Sequence, residues 1–183
     1  LDNLSQKVFY GIDGLLKVIG YSFPLIEKIG NIKPINFLLK KLYKFISYNR
    51  KVIAPNTIKT ADPFHCVPHF NIKYRALFIV FTTLFTAIVL FQYSKMIVFL
   101  PAATFHREAL LAVGQIGFQY IFIQKYSELQ QFNYLGNLAT VSIIGSLLLS
   151  PILLLNQFII LNPYIVLGWF GLTVSVMIVE HYR

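Results

Sequence analysis

The C-terminal three-fifths of the chain consists of long apolar runs separated by short polar segments. The first run, 76–93, holds eighteen residues without a charge, which is long enough to cross a hydrocarbon core of about 30 Å. Three further apolar runs follow at 109–124, 138–161 and 164–179. This pattern predicts an all-α fold in which four transmembrane helices form a bundle over residues 76–183.

The third and fourth runs are separated only by Asn162 and Pro163, so we expect them to form a helical hairpin. Pro151 lies inside the third run. A proline is tolerated in a membrane helix where neighbouring groups satisfy the carbonyl that it leaves free. The proline therefore does not argue against a continuous third span.

The N-terminal part has a different pattern and predicts amphipathic helices. Over residues 34–52 apolar side chains recur at helical spacing on one face, with lysines over the remainder. Such a helix packs on a globular domain or lies on an anionic membrane surface. We favour the first, because residues 13–19 predict a short helix and residues 21–33 a short helix or turn, which also looks like domain structure. Residues 54–75 contain three prolines and predict a connecting loop. We therefore divide the chain into a helical segment, 1–53, this loop, and the bundle.

Charge gives the bundle an orientation. Only 13% of the residues are charged, about half the share in a soluble domain. Residues 1–75 hold twelve Lys and Arg but four Asp and Glu, whereas residues 76–183 hold four and three. Basic residues flanking spans mark the cytoplasmic side, so both termini are predicted in the cytoplasm. We favour this explanation of the basic charge over nucleic-acid binding. The expected partners are the lipid bilayer and other membrane subunits.

Small and polar side chains mark the faces on which helices pack in lipid. The third run carries serines every four positions and the fourth a stripe of glycine and serine, so these faces are expected to pack together. Three polar residues of the second run lie on one side and should point away from lipid. Hydrogen bonding between helices is the simplest role; the alternative is a polar path or a ligand pocket. The residues are Glu108, Gln115, Gln119, Ser142, Ser146, Ser150, Gly168, Gly171 and Ser175.

Ionisable side chains are missing from the centres of the four runs, which argues against a proton or ion pump. The densest group of metal-ligating residues is His65, Cys66 and His69 in the loop. Two imidazoles and a thiolate suit zinc or copper, although their spacing matches no standard zinc motif and a chance cluster is the competing interpretation. Cys66 is the only cysteine, so no disulfide forms within this chain. We predict no organic cofactor.

Three short segments resemble a known family. They are Gly11-Ile12-Asp13-Gly14-Leu15-Leu16, Lys40-Lys41-Leu42-Tyr43 and Ile46-Ser47-Tyr48-Asn49-Arg50. Residues 8–53 are similar to the C-terminal half of the DCC family, which comprises thiol-disulfide oxidoreductase-like proteins with a thioredoxin-like α/β fold. Residues 66–75 look like the start of a membrane extension found in some bacterial members. The composition suits a bacterium of the Bacteroidetes type.

The resemblance implies that residues 1–53 are helices that pack on a thioredoxin-like sheet. It also implies that the Cys-x-x-Cys active site of the family lies upstream of Leu1. The leading hypothesis is a thiol-disulfide oxidoreductase-like protein anchored in a bacterial inner membrane. The alternative is a non-catalytic membrane subunit that docks onto a larger complex. A lipid-handling enzyme is a third hypothesis, disfavoured because no catalytic constellation is visible.

Overall fold

The structure, a computed structural model, describes residues 9–54 and 70–182, with side chains as far as Val179. All secondary structure in these ranges is helical, which confirms the all-α prediction for the described part of the chain. The helices are α1 (Gly11–Ser22), α2 (Pro24–Gly30), α3 (Lys33–Ile53), α4 (Ile72–Ser94), α5 (Phe105–Ile123), α6 (Glu128–Leu155) and α7 (Pro163–Tyr182). The chain divides into two compact units, whose described parts are 9–50 and 51–54 with 70–182.

The first unit is held together by contacts between helices α1, α2 and α3. Leu16 of α1 is 4% exposed and lies against Gly30 at the end of α2, where a Cβ atom would be 2.5 Å from Leu16 Cδ2. The carboxylate of Asp13 accepts hydrogen bonds from Lys40 Nζ at 2.9 Å and from Asn36 Nδ2 at 3.2 Å, which ties α1 to α3. These bonds hold the pKa of the Asp13 carboxyl below its ordinary value.

Gly11 begins α1 with a φ of +58°, in the left-handed region. A Cβ atom at this position would lie 3.3 Å from the ring of Tyr43 in α3. Glycine adopts this conformation without the steric cost that other residues carry. The start of α1 therefore depends on glycine both for its backbone and for its approach to α3.

Much apolar surface of this unit is uncovered. Val18 and Leu25 are 67% and 73% exposed, and Leu38 on α3 is 66% exposed. By helical spacing Lys44 lies on the opposite face of α3 from its apolar residues, whereas Lys41, three residues after Leu38, lies beside that side chain. The three helices thus leave large apolar side chains exposed instead of enclosing them in a core.

The second unit is a bundle of helices α4–α7. Helices α4 and α6 run in the same direction, because Arg75 at the start of α4 lies against Gly136 and Thr86 further along lies 3.1 Å from Ser146. Helix α7 runs antiparallel to α6, since Trp169 meets Leu148 whereas Met177, further along α7, lies against the earlier residue Gly145. Of these helices, α4 and α6 are long and apolar enough to cross a membrane, and α7 contains a shorter apolar stretch.

One end of the bundle is closed by an apolar core. It is formed where the end of α4 meets the end of α6 and the start of α7. Tyr93 is 2% exposed and donates a hydrogen bond from its hydroxyl to the carbonyl of Val166 at 2.7 Å. The remaining members of this core are Val89, Ile97, Leu149 and Ile152.

Helix α6 passes through Pro151 without ending, as the sequence allows. The indole N–H of Trp169 donates to the carbonyl of Leu148 at 2.9 Å, three residues before the proline. A proline weakens the hydrogen-bond ladder of the preceding turn. Pro151 leaves the Leu147 carbonyl without its helical donor, and the Trp169 bond lies at the neighbouring carbonyl of the same turn.

The bounds of α6 differ from the predicted span over 138–161. The helix begins ten residues earlier, because Ser127 and Gln130 form a capping box that starts a polar first stretch. It ends at Leu155, where the side chain of Asn156 accepts a hydrogen bond from the Leu161 amide. A hydropathy pattern finds only the apolar part of a helix and cannot see either of these signals.

Candidate ligand pocket in the helical bundle

A cavity of about 470 Å³ lies inside the bundle and is lined by all four of its helices. The helices whose backbones lie close together are α4–α6, α4–α5, α6–α7 and α5–α6, and α4 also contacts α7 through the bond between Tyr93 and Val166. Helices α5 and α7, which both line the cavity, are not packed against each other in the described chain. The volume falls within the range of about 300–1,000 Å³ that is usual for ligand sites.

The polar residues predicted on one side of α5 divide between two cavities. Gln115 and Gln119 line the large cavity together with Ser142 and Ser146 of α6. Glu108, by contrast, borders a second cavity of about 380 Å³ on the side of Tyr93. The structure thus brings four of the predicted polar residues together and separates Glu108 from them.

Several of these polar groups are already paired within the bundle. Tyr134 of α6 donates its hydroxyl to Gln119 Oε1 at 3.0 Å. The Ser146 hydroxyl lies 3.1 Å from Thr86 Oγ1 and 2.8 Å from the carbonyl of Ser142. These contacts match the expectation of hydrogen bonds between helices, which in lipid are worth about 0.6 kcal/mol on average.

Other polar groups on the lining have no partner in the described part of the chain. Gln115 makes no hydrogen bond there, and Gln119 uses only its oxygen. Thr173 of α7 is 6% exposed, lines the cavity and makes no hydrogen bond among the described residues. Both amide N–H groups and one buried hydroxyl are therefore available to a molecule in the cavity.

A small polar cavity of about 20 Å³ adjoins the large one and shares Thr86, Gln115 and Ser142 with it. Thr82 and Thr83 complete its polar lining. Their hydroxyls donate to backbone carbonyls, Thr82 to Phe78 at 2.9 Å and Thr83 to Ile79 at 2.7 Å. The hydroxyl oxygens are thus left as acceptors, and the volume suits one water molecule, which needs at least about 10–15 Å³.

Sequence reasoning missed Tyr134, Thr86 and Thr173. Thr86 lies three and four residues after Thr83 and Thr82 within an otherwise apolar run. Helical spacing places such a threonine cluster on one face, and this signal was available. Tyr134 and Thr173 gave no comparable signal, because only the packing of α6 against α5 and α7 brings them to the cavity.

Glu108 has a structural role at the start of α5. Its carboxylate accepts from Arg107 Nη2 at 2.6 Å and Nε at 3.1 Å. Arg107 also donates to the carbonyls of Pro101 and Ala102 at 3.2 Å each. An acidic residue in the first turn is favoured by the helix dipole, so this group fixes the loop that leads into α5.

The small-residue stripes behave differently on the two helices. On α6, the hydroxyls of Ser142, Ser146 and Ser150 each donate to the carbonyl four residues earlier. On α7, a Cβ atom at Gly168 or Gly171 would have no described atom within 4 Å. The Ser175 hydroxyl donates to the carbonyl of Gly171. The expected contact between the two stripes is therefore not what joins the helices.

Helices α6 and α7 meet instead through larger side chains. A Cβ atom added at Gly145 would lie 3.7 Å from Met177 Cγ, so the two helices are in contact there. Trp169 reaches the carbonyl of Leu148, as described above. The α7 stripe consequently lies on an open surface of the bundle.

Arg75 is a buried cation without a hydrogen bond on two of its nitrogens. It is 2% exposed, and its Nε and Nη1 atoms have no partner in the described chain. Its guanidinium lies 5.8 Å from the ring centroid of Phe70. At Gly136 an added Cβ atom would lie 2.8 Å from Arg75 Nη1 and 3.0 Å from Val52 Cγ1.

The predicted metal ligands His65, Cys66 and His69 lie outside the described residues. Within the described ranges no group of three or more His, Cys, Asp or Glu side chains is placed to hold a metal ion. Comparison of the chain with protein-family models, with curated proteins and with solved structures finds no match.

Proposed function

We propose that this chain is the C-terminal part of a membrane-anchored, DCC-like thiol-disulfide oxidoreductase of a bacterial inner membrane. The observation that carries the proposal is the meeting of two segments on which the family resemblance rests. Asp13 of the first segment binds Lys40 of the second at 2.9 Å. Gly11 of the first lies against the ring of Tyr43 of the second. Residues that carry the resemblance thus connect α1 to α3 through these two contacts.

The uncovered apolar faces of α1–α3 give the proposal further support. Side chains such as Val18, Leu25 and Leu38 are more than half exposed. Exposed apolar patches of this kind mark surfaces that another element covers. A thioredoxin-like sheet bearing the Cys-x-x-Cys pair is the element that the resemblance implies.

The geometry of the bundle supports four membrane spans. Helices α4 and α6 run in the same direction and are each long and apolar enough to span. If both cross, the chain between Ser94 and Glu128 must cross back, and α5 is its only long described helix. At 1.5 Å per residue, its 19 residues cover about 28 Å. Helix α7 then returns beside α6, so both termini lie on the same side of the membrane, and the basic charge of residues 1–75 makes that the cytoplasmic side.

This topology is tested by labelling single cysteines in intact cells with a membrane-impermeant maleimide. In a Cys66→Ser background, Ala103→Cys places a thiol before α5 and Lys125→Cys places one after it. We expect the first to react from outside and the second only after the cells are opened. Equal labelling of both positions in intact cells would mean that α5 does not span the membrane.

The redox proposal is tested on the natural full-length protein by intact mass, N-terminal sequencing and thiol counting. We expect two closely spaced cysteines besides Cys66 that interconvert between dithiol and disulfide. The Cys66→Ser variant is the matched control and should keep this interconversion. A natural protein in which Cys66 is the only thiol would overturn the proposal.

The alternative function is that of a non-catalytic subunit of a larger membrane complex. It is favoured by the open glycine faces of two helices: Gly114 and Gly117 on α5, and Gly168 and Gly171 on α7. Small residues let another helix approach closely in lipid. Under this alternative, affinity purification in mild detergent yields a stoichiometric complex, and Gly168→Leu disrupts it. Recovery of the chain alone from such detergent would contradict this alternative.

A further inference from the structure

We infer that the large cavity of the bundle binds an uncharged amphiphile with a hydrogen-bonding headgroup and an apolar chain. The inference rests on the membrane placement of the bundle and not on redox chemistry. Its basis is the combination of free polar groups, apolar walls and missing charge on the lining of one cavity.

The amide groups of the lining lie towards one end, whereas hydroxyl groups and apolar side chains line the rest. Gln119 and Tyr134 lie near the start of α6, and Gln115 is one helical turn along α5 from Gln119. Leu149 and Phe170, near the closed end of the bundle, form the opposite end of the lining. A ligand with two chemically different ends is complementary to such a gradient, with its headgroup beside the glutamines.

The polar groups that remain free decide the kind of headgroup. Gln115 offers an amide oxygen and an N–H₂ group, Gln119 offers its N–H₂ group, and Thr173 offers a hydroxyl. Amide N–H groups donate to carbonyl or hydroxyl oxygens, and the amide oxygen of Gln115 accepts from a hydroxyl. A short head that carries hydroxyl groups satisfies the two glutamines, whereas Thr173, one turn along α7 from Phe170, meets a part of the ligand further from the head.

Charge sets the second limit on the ligand. None of the described residues that line the cavity is ionisable at neutral pH. An unpaired carboxylate or ammonium group would be buried there without a counter-ion, which is strongly unfavourable. The cavity therefore selects against fatty acids and other singly charged amphiphiles.

The opening gives such a ligand a route from the bilayer. Helices α5 and α7 border the cavity but are not packed against each other in the described chain. A molecule dissolved in the membrane can enter sideways between them without crossing water. A soluble, strongly polar ligand would have no comparable advantage.

The test uses the full chain in lipid nanodiscs, with 1-monooleoylglycerol as the probe and native mass spectrometry as the readout. We expect saturable binding of one probe per chain. Oleate at alkaline pH, which has the same chain and a charged head, should bind at least about tenfold more weakly, because its charge is left unpaired.

Variants identify the site. Each of Gln115→Leu and Thr173→Val removes one hydrogen-bonding group and should weaken monooleoylglycerol binding by about 2–10-fold. Thr173→Val nearly preserves side-chain shape, so it keeps the test valid if the glutamine variant folds poorly. Gln157→Leu is the matched control, since Gln157 is exposed outside the cavity, and it should bind as the unchanged protein does.

Three results would overturn the inference. They are binding that rises without saturation, equal binding of oleate, and unchanged affinity in both Gln115→Leu and Thr173→Val. Failure here is distinct from failure of the redox proposal, because that proposal is decided by thiol counting on the natural protein. A protein with a redox-active cysteine pair and no saturable lipid binding would lose only this inference.

Discussion

Replacing Gly136 by alanine tests the packing where the end of α3 meets the bundle. The new methyl group would lie 2.8 Å from Arg75 Nη1, 3.0 Å from Arg75 Cδ and 3.0 Å from Val52 Cγ1. Arg75 and Val52 are each 2% exposed, so neither can swing into solvent. The methyl group therefore has to displace buried atoms.

The magnitude follows from two opposing effects. Alanine in place of a mid-helix glycine stabilises a helix by about 0.5–1 kcal/mol, whereas overpacking a tight site costs about 1–3 kcal/mol. We expect a net loss of about 1 kcal/mol, which is about a fivefold change in the unfolding equilibrium. In an Arg75→Ala background two of the three close contacts disappear, and the same substitution should become nearly neutral.

The assay is unfolding of the detergent-solubilised chain by sodium dodecyl sulfate, followed by far-UV circular dichroism. Gly117→Ala is the control, because no described atom lies within 4 Å of a Cβ atom at that position. It should be neutral or slightly stabilising. If Gly136→Ala unfolds at the same detergent fraction as Gly117→Ala, the close packing around Arg75 is refuted.

Three further predictions concern single contacts. Tyr93→Phe removes the donor to the Val166 carbonyl at 2.7 Å and should lower the free energy of unfolding by about 1 kcal/mol in the same assay; no change would mean that this bond contributes nothing net. Gly11→Ala places a side chain at a φ of +58° and should cost about 1–2 kcal/mol, seen as faster amide exchange in α1. The pKa of Asp13 is lowered from 3.8 by its bonds, first of all that from Lys40, so the stabilisation that it provides is present above about pH 4. This stabilisation is lost as the pH falls through the lowered pKa, and faster amide exchange in α1 should report the loss. Asp13→Asn should abolish this pH dependence of amide exchange. An equal pH dependence in Asp13→Asn would contradict the prediction.

Most of the helical content of the described chain could be predicted from hydropathy, because every helix except the seven-residue α2 carries an apolar or amphipathic pattern. Helix α3 covers Lys33–Ile53 where the pattern predicts a helix over 34–52. Boundaries set by single side chains were less predictable. The capping box at Ser127 and the hydrogen bond from the Leu161 amide to the Asn156 side chain place both ends of α6 away from the predicted ones.

The candidate site could be predicted only in part. Gln115 and Gln119 stand out because amides are rare in apolar runs, and the structure places both on the cavity. The glycines of α7 also stand out, yet composition does not say which face of a helix meets its neighbour. Contacts between distant segments, such as Tyr134 with Gln119, decide that question.

The bond between Tyr134 and Gln119 bears on how the bundle is assembled during synthesis. In a four-span protein α5 leaves the ribosome before α6, so Gln119 has no Tyr134 to pair with when α5 first reaches the insertion machinery. Helix α5 is also not among the helices apolar enough to span on their own, and a lone amide in hydrocarbon is unfavourable. Helix α5 should therefore wait at the translocon and enter the bilayer together with α6, as one hairpin.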